Sequence, residues 1–277
     1  MGRRVLLAGW MLCLGAVASA QTTTQLTQLA KARQAFNQGQ YDQAIAAATD
    51  ARKAASLASA ASVVLGRAHV ERYYLKSDGA DLVAAHTVLA DLDPVRLSSA
   101  DRRDLTIGLG LTVYFEGRPG AAAELLELAL AAPTESTAEP RARERLFDWW
   151  ATAVDRAAQL APDPSRHGYY ERIIARSEAE LARDPSSTAA GYWLAAGARG
   201  AAELDRAWNA AIAAWIRAKD RPAMGNDRDA RADARADIDL LVTAAIIPER
   251  ARALDARAAQ ALIAAMRAEW EQIKNSW

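Results

Sequence analysis

Residues 32–51 read "ARQAFNQGQYDQAIAAATDA". Leu26, Leu29, Ala32, Ala35 and Phe36 recur at helical spacing, which predicts a helix over 24–37. Gly39 ends it, because glycine enters the left-handed conformation that follows a helix without a Cβ penalty. Tyr41, Ala44, Ile45, Ala48 and Ala51 then begin a second helix two or three residues later. A link this short forces the two helices to lie antiparallel and in contact. The alanines let the axes approach closely, with Ala32 expected opposite Ala44.

The pattern returns at 109–129, "LGLTVYFEGRPGAAAELLELA". Gly110 stands for Ala32, Gly117 for Gly39, Ala122 for Ala44, Leu126 for Ala48 and Ala129 for Ala51, at one constant offset. That offset equals two units of about 34 residues plus roughly ten more. The extra residues fall around "KSDGAD", between the helix "LASAASVVLGRAHVERYYL" containing Gly66 and the segment "LVAAHTVLADLDP". Leu109 and Leu126 are expected to fill the layer beside the close contact.

A small residue, then Gly, then an aromatic or Pro, then Ala, at a period near 34, resembles the tetratricopeptide repeat. The resemblance implies an all-α fold: a right-handed superhelix of antiparallel helix pairs, with about five repeats and C-terminal capping helices. The later units follow the pattern less closely. "HGYYERIIARSEAELARDP" (167–185) looks like the second half of a repeat, with Gly168 and Tyr170 where Gly39 and Tyr41 sit, after a long partner helix at about 141–160. Residues 187–218 give another pair with Ala195 and Ala207 at the close-packed positions and no turn glycine at the usual place. Residues 227–274 read as two helices meeting at Pro248, a cap over the end of the stack. The expected organisation is a leader at 1–20, repeats at 21–225 and capping helices at 226–277.

In tetratricopeptide domains the first helix of each pair lines the concave surface. By position, the resemblance implies a partner-binding groove formed by Arg33 and Asn37, by Asp104, Leu111, Tyr114 and Phe115, and by Tyr192 and Arg199. Tyr114 and Phe115 fit a core equally well.

Arg3 and Arg4, the apolar run "VLLAGWMLCLGAV" and the small residues "ASA" at 18–20 form the pattern of a cleaved secretory signal, which implies a periplasmic or secreted protein. A first membrane span is the alternative, but the run is short for one, and nothing similar occurs later. A lipid anchor at Cys13 is disfavoured by bulky Leu12 before it. Without this segment the chain has no cysteine, hence no disulfide or thiolate chemistry, and no transmembrane anchor. Removing Arg3 and Arg4 leaves 32 basic residues against 34 acidic, a balance that argues against a nucleic-acid partner. Alanine, the strongest helix former, supplies 68 of the 277 residues.

Catalytic motifs are absent from the sequence: there is no G-x-S-x-G elbow, phosphate-binding loop or H-E-x-x-H. His69, His86 and His167 have no metal-ligand spacing, so neither metal nor cofactor is expected. Asp229, Asp233 and Asp237 share a helix face, but with Arg231 and Arg235 beside them they read as a solvated helix start. Tryptophans are uneven, with seven of the eight at or beyond Trp149. Trp208 and Trp215, seven apart, are expected in the core. Trp149, Trp150, Tyr169 and Trp193 either fill gaps between alanines or line a site for an apolar ligand. The leading expectation is a non-catalytic scaffold holding a protein or peptide of the cell envelope. The alternative is a helical-repeat binder of a small apolar molecule, associated with a solute transporter.

Overall fold

A computed structural model describes the backbone at residue 24 and over 26–132, 140–220 and 227–277, with side chains except at 140–141, 220 and 227–233. The leader expected at 1–20, and Asp229 and Asp233 as side chains, lie outside the described residues. All regular structure described is helical. It falls into two compact units, residues 1–132 and 133–277. The boundary expected between 225 and 226 lies within the second of them.

The first unit contains α1 (26–37), α2 (Tyr41–Ala51), α3 (Ala58–Lys76), α4 (Gly79–Ala90), α5 (Ser99–Phe115) and α6 (Pro119–Ala131), with a 3₁₀ turn at Pro94–Arg96. The helices pair consecutively as antiparallel hairpins, and α3 also packs on α5. Alanine is what lets them approach. Ala32, Ala44, Ala48, Ala51, Ala61 and Ala122 have essentially no exposed surface. The tight partner of Ala32 is not Ala44, as the sequence suggested. Ala32 shares a buried cluster with Ala48, whereas Ala44 joins Ala35 and Ala68. An antiparallel hairpin pairs residues equidistant from its turn, and 32 and 48 flank residue 40 symmetrically. The repeat copies this contact. A Cβ added at Gly110 would come within 2.9 Å of Leu126, the counterpart of Ala48.

Three turns share one geometry. Gly39, Gly117 and Ala202 have φ of 72°, 82° and 64°. After each, the next N–H reaches back five residues: Gln40 to the Ala35 carbonyl (2.9 Å), Arg118 to Val113 (3.1 Å) and Glu203 to Ala198 (2.9 Å). These bonds satisfy carbonyls that the helix end leaves open. The fifth pair therefore does carry the turn, with alanine where glycine was sought.

The second unit contains α7 (Pro140–Leu160), α8 (Asp163–Arg183), α9 (Thr188–Gly200), α10 (Leu204–Asp220), α11 (Asp227–Leu240), α12 (Ile247–Ala251) and α13 (Ala256–Ser276). Gly168 is not a turn residue. α8 begins five residues earlier, at Asp163, because Pro162 and Pro164 in "APDP" break the chain and the second suits a helix's first turn. The C-terminal break is not at Pro248 either. A wide π turn over Leu241–Ile246 joins α11 to α12, and the chain leaves the helix only after Ala251. Proline cannot donate to the carbonyl four residues back and its ring crowds it. The wide turn directly before Pro248 relieves that conflict.

Trp208 and Trp215 of α10 pack against Trp270 of α13, with ring centroids 6.0 and 5.4 Å apart. The C-terminal helices thereby share one core with α9 and α10. Two carboxylates fix α7 beside its neighbours. Glu144 accepts from Thr188 Oγ1 and Ala189 N, both at 3.0 Å, and so caps the first turn of α9. Glu180 on α8 takes a two-point bond from Arg143 at 2.7 and 2.9 Å, nearly buried.

Candidate functional site

In each unit the first helices of successive pairs lie side by side, α3 with α5 and α7 with α9. In the first unit their shared face is knitted by ions. Arg33 on α1 bonds Asp101 on α5 at 2.7 Å, and Arg67 on α3 bonds Asp104 on α5 at the same distance. The Arg67 guanidinium also stacks 4.7 Å from the Phe36 ring centre. Arg33 and Asp104, expected to await a partner, are thus ion-paired within the molecule. Asn37 is exposed at the end of α1. Leu111 is only 1% exposed and belongs to the interior, not a groove. Tyr114 and Phe115 form an aromatic cluster with Tyr73 and Tyr74; the Tyr73–Phe115 ring centres are 5.1 Å apart.

A second ion network ties α2, α3 and α4. Buried Asp81 accepts from His69 Nδ1 at 2.7 Å and from Arg72, which also reaches Asp42. The Arg72 hydrogen bonds hold the Asp81 carboxyl below its ordinary range against the opposing effect of burial. This network is structural. An open cleft of about 430 Å³ between α1 and α2 has alanines on its floor and Gln28, Lys31, Gln34, Gln38, Gln40 and Gln43 around it. Such a polar outer surface suits the terminal pair of a helical stack.

The second unit carries a different face. Asp148 and Asp155, seven residues apart, lie on one side of α7, since seven residues are close to two helical turns. Tyr192 and Arg199 hold the same relation on adjoining α9. Asp148 Oδ1 accepts the Trp193 indole N–H at 2.7 Å, and Asp155 is hydrogen-bonded to Tyr170 of α8. Arg199 is clasped by both Glu249 oxygens at 2.6 to 3.1 Å.

Asp148 is exposed to solvent, yet protein surrounds it closely enough that desolvation pushes its carboxyl above the usual aspartate range. Glu144 and Asp237 add repulsion, while the indole opposes it. Desolvation likewise raises Asp155, against the hydrogen bonds from Tyr170 and Gln159. The Tyr192 phenol is raised first by burial and then by Asp237, Asp155 and Asp148 together. Carboxylates from α7 and α11 thus converge on the α9 tyrosine.

Of the aromatic residues expected to line a ligand site, Trp150 has no exposed surface and Trp193 is 7% exposed. Both are core residues. Trp149 and Tyr169 are half-buried. Tyr192 and Arg199 are the two expected residues that the second-unit face retains. Sequence reasoning did not single out Asp148, Asp155 and Glu249; Asp237, read as part of a solvated helix start, is exposed. The available signal was two acids seven apart in "DWWATAVD", a helix face otherwise destined for the interior. No group of three or more potential metal ligands occurs among the described residues, and no described helix is long and apolar enough to cross a membrane. Comparison of the chain with protein-family models, curated proteins and solved structures finds no match.

Proposed function

We propose that this all-helical chain of stacked antiparallel pairs is a non-catalytic scaffold that holds a protein segment against the first helices of its pairs. Within this reading the pairs are tetratricopeptide-like and coil into a right-handed superhelix whose hollow side receives the partner. The three turns of one geometry at Gly39, Gly117 and Ala202 support the repeat character. The observation that carries the function is the side-by-side packing of first helices within each unit, α3 on α5 and α7 on α9, which gives each unit a row of helices for a segment to lie against.

The basic start, apolar run and small residues of 1–20 support export to the periplasm or beyond. Amino-terminal sequencing of the protein from the producing cells tests this. A start at Gln21 agrees with export; an intact Met1 or Gly2 on cytoplasmic material opposes it. For the scaffold, a photo-crosslinking amino acid at Tyr192 or Asn37 is expected to yield a discrete adduct in cells, absent when the label replaces exposed Glu269 on α13. Labels that crosslink no better than the Glu269 control refute this surface.

A further inference from the structure

The cleft between α1 and α2 has a chemistry unlike the rest of the surface. Gln28, Lys31, Ala35 and Gln38 recur at intervals of three and four along α1 and its end, and Gln40, Gln43, Ala47 and Asp50 do the same along α2. That spacing puts each set on one side of its helix, and both sets line the cleft of about 430 Å³. Small-molecule sites span about 300–1,000 Å³. A surface that only meets water can use charge, and this chain does so elsewhere, with 34 basic and 34 acidic residues against ten glutamines. Five of the ten, Gln28, Gln34, Gln38, Gln40 and Gln43, line this one cleft. Among the described residues, none of the five has a side-chain hydrogen bond within the protein. Each amide presents a carbonyl acceptor and two N–H donors to whatever enters. Lys31 adds one positive charge and Asp50 one negative, the latter paired with Lys53 at 2.7 Å. The floor is methyl, with Ala35 buried and Ala47 half-buried.

A methyl floor between amide walls matches one kind of molecule closely. A sugar ring has flat C–H faces and a rim of hydroxyls, and each hydroxyl both donates and accepts, as an amide does. A charged ligand would find no surplus of the opposite sign here. An extended peptide alternates its side chains to opposite sides, so every second one would press on the alanine floor and hold the backbone above the amides. We propose that the α1–α2 cleft binds a short uncharged oligosaccharide, one ring face against Ala35 and Ala47 and the hydroxyl rim bonded to the glutamine amides. This site is separate from the α3–α5 and α7–α9 rows and does not rest on the scaffold reading.

The test uses the full chain and saturation-transfer NMR, which detects weak binding. The probes are maltotriose, triacetylchitotriose, trigalacturonate and a serine–glycine hexapeptide. At least one of the two neutral trisaccharides is expected to bind in about the millimolar range, because each exposed amide gives up water to bond it. The combined substitution Gln34→Ala, Gln38→Ala and Gln43→Ala should weaken it by about tenfold or more. Ala46→Arg, at an exposed position lining the cleft, should fill the space and block binding. Removing exposed amides elsewhere, with Gln260→Ala and Gln272→Ala on α13, should leave affinity within about twofold. Circular dichroism checks that each variant keeps its helicity. Failure of both neutral trisaccharides to bind overturns the proposal. Binding that survives both cleft variants puts the sugar elsewhere and overturns it too. Tighter binding of trigalacturonate or of the peptide, lost in the cleft variants, overturns the uncharged sugar as occupant. None of these outcomes bears on crosslinking at Tyr192, so the scaffold reading is tested apart.

Discussion

Ala202→Gly is expected to stabilise the second unit. Ala202 holds φ of 64°, a left-handed conformation in which Gly39 and Gly117 occupy the equivalent turns. For an L-residue with a Cβ this costs ~1–2 kcal/mol, and glycine removes the cost. The glycine chain has more freedom to lose on folding, which takes back ~0.4–1 kcal/mol. Ala202 is exposed, so little methyl burial is lost. Its N–H bond to Arg199 and the Glu203 bond to Ala198, both 2.9 Å, are backbone bonds and survive. The net gain is about 0.5–1 kcal/mol. With a urea dependence of ~1–3 kcal/mol per molar, the midpoint rises by about 0.3 M. Tryptophan fluorescence isolates the effect, since apart from Trp10 every tryptophan lies in the second unit. Gly39→Ala and Gly117→Ala should lose a similar amount, read by circular dichroism. No atom lies within 4 Å of a Cβ built at either glycine, so the loss is purely conformational. A lowered midpoint for Ala202→Gly, or a raised one for Gly117→Ala, refutes the equivalence of the three turns.

Other substitutions probe packing and charge. Gly66→Ala would drive its Cβ into the Leu89 side chain of α4, and overpacking of this kind should cost ~1–3 kcal/mol in the first unit by urea unfolding. Glu180→Gln removes the anion from the nearly buried two-point bond with Arg143, an expected loss of about 3 kcal/mol, visible in fluorescence-monitored unfolding. Asp148→Asn keeps an acceptor for the Trp193 indole but removes a charge that folding desolvates. A carboxyl raised by folding contributes stability below its unfolded value of 3.8 and loses it as pH rises through the folded value. The variant should therefore be more stable than the parent at pH 7 and equal to it in acid. Asp81 has the opposite sign. Its lowered carboxyl contributes stability above 3.8 that is lost as pH falls through the folded value, so Asp81→Asn should lower the neutral-pH melting temperature and flatten its acid limb.

Repeats announce themselves through local rules, so the helix class, the pairing and the turns at Gly39 and Gly117 are legible in the chain itself. Glycine requires no context to adopt positive φ, and alanine at helical spacing favours close packing wherever it meets a partner. Ala202 hid because alanine enters that conformation only when helices on both sides, already paired by Ala195, Ala198, Ala207 and Ala211, impose it. Gly168 misled for the converse reason: a glycine on the exposed side of a helix held by Ile173 and Ile174 need not end it.

The acidic face shows the same division. Sequence spacing puts Asp148 and Asp155 on one side of α7, but does not reveal which neighbour that side meets. Their significance comes from Trp193 and Tyr192 arriving from α9, Tyr170 from α8 and Asp237 from α11. Desolvation and repulsion between charges act through space between segments distant in the chain, and only the tertiary arrangement sets them. What the sequence determines alone is the local geometry: where helices run, where they turn and which side is small enough to pack. Which tryptophans vanish into the core, which acids crowd one another and which cations are already claimed are decided by the packing of whole helices.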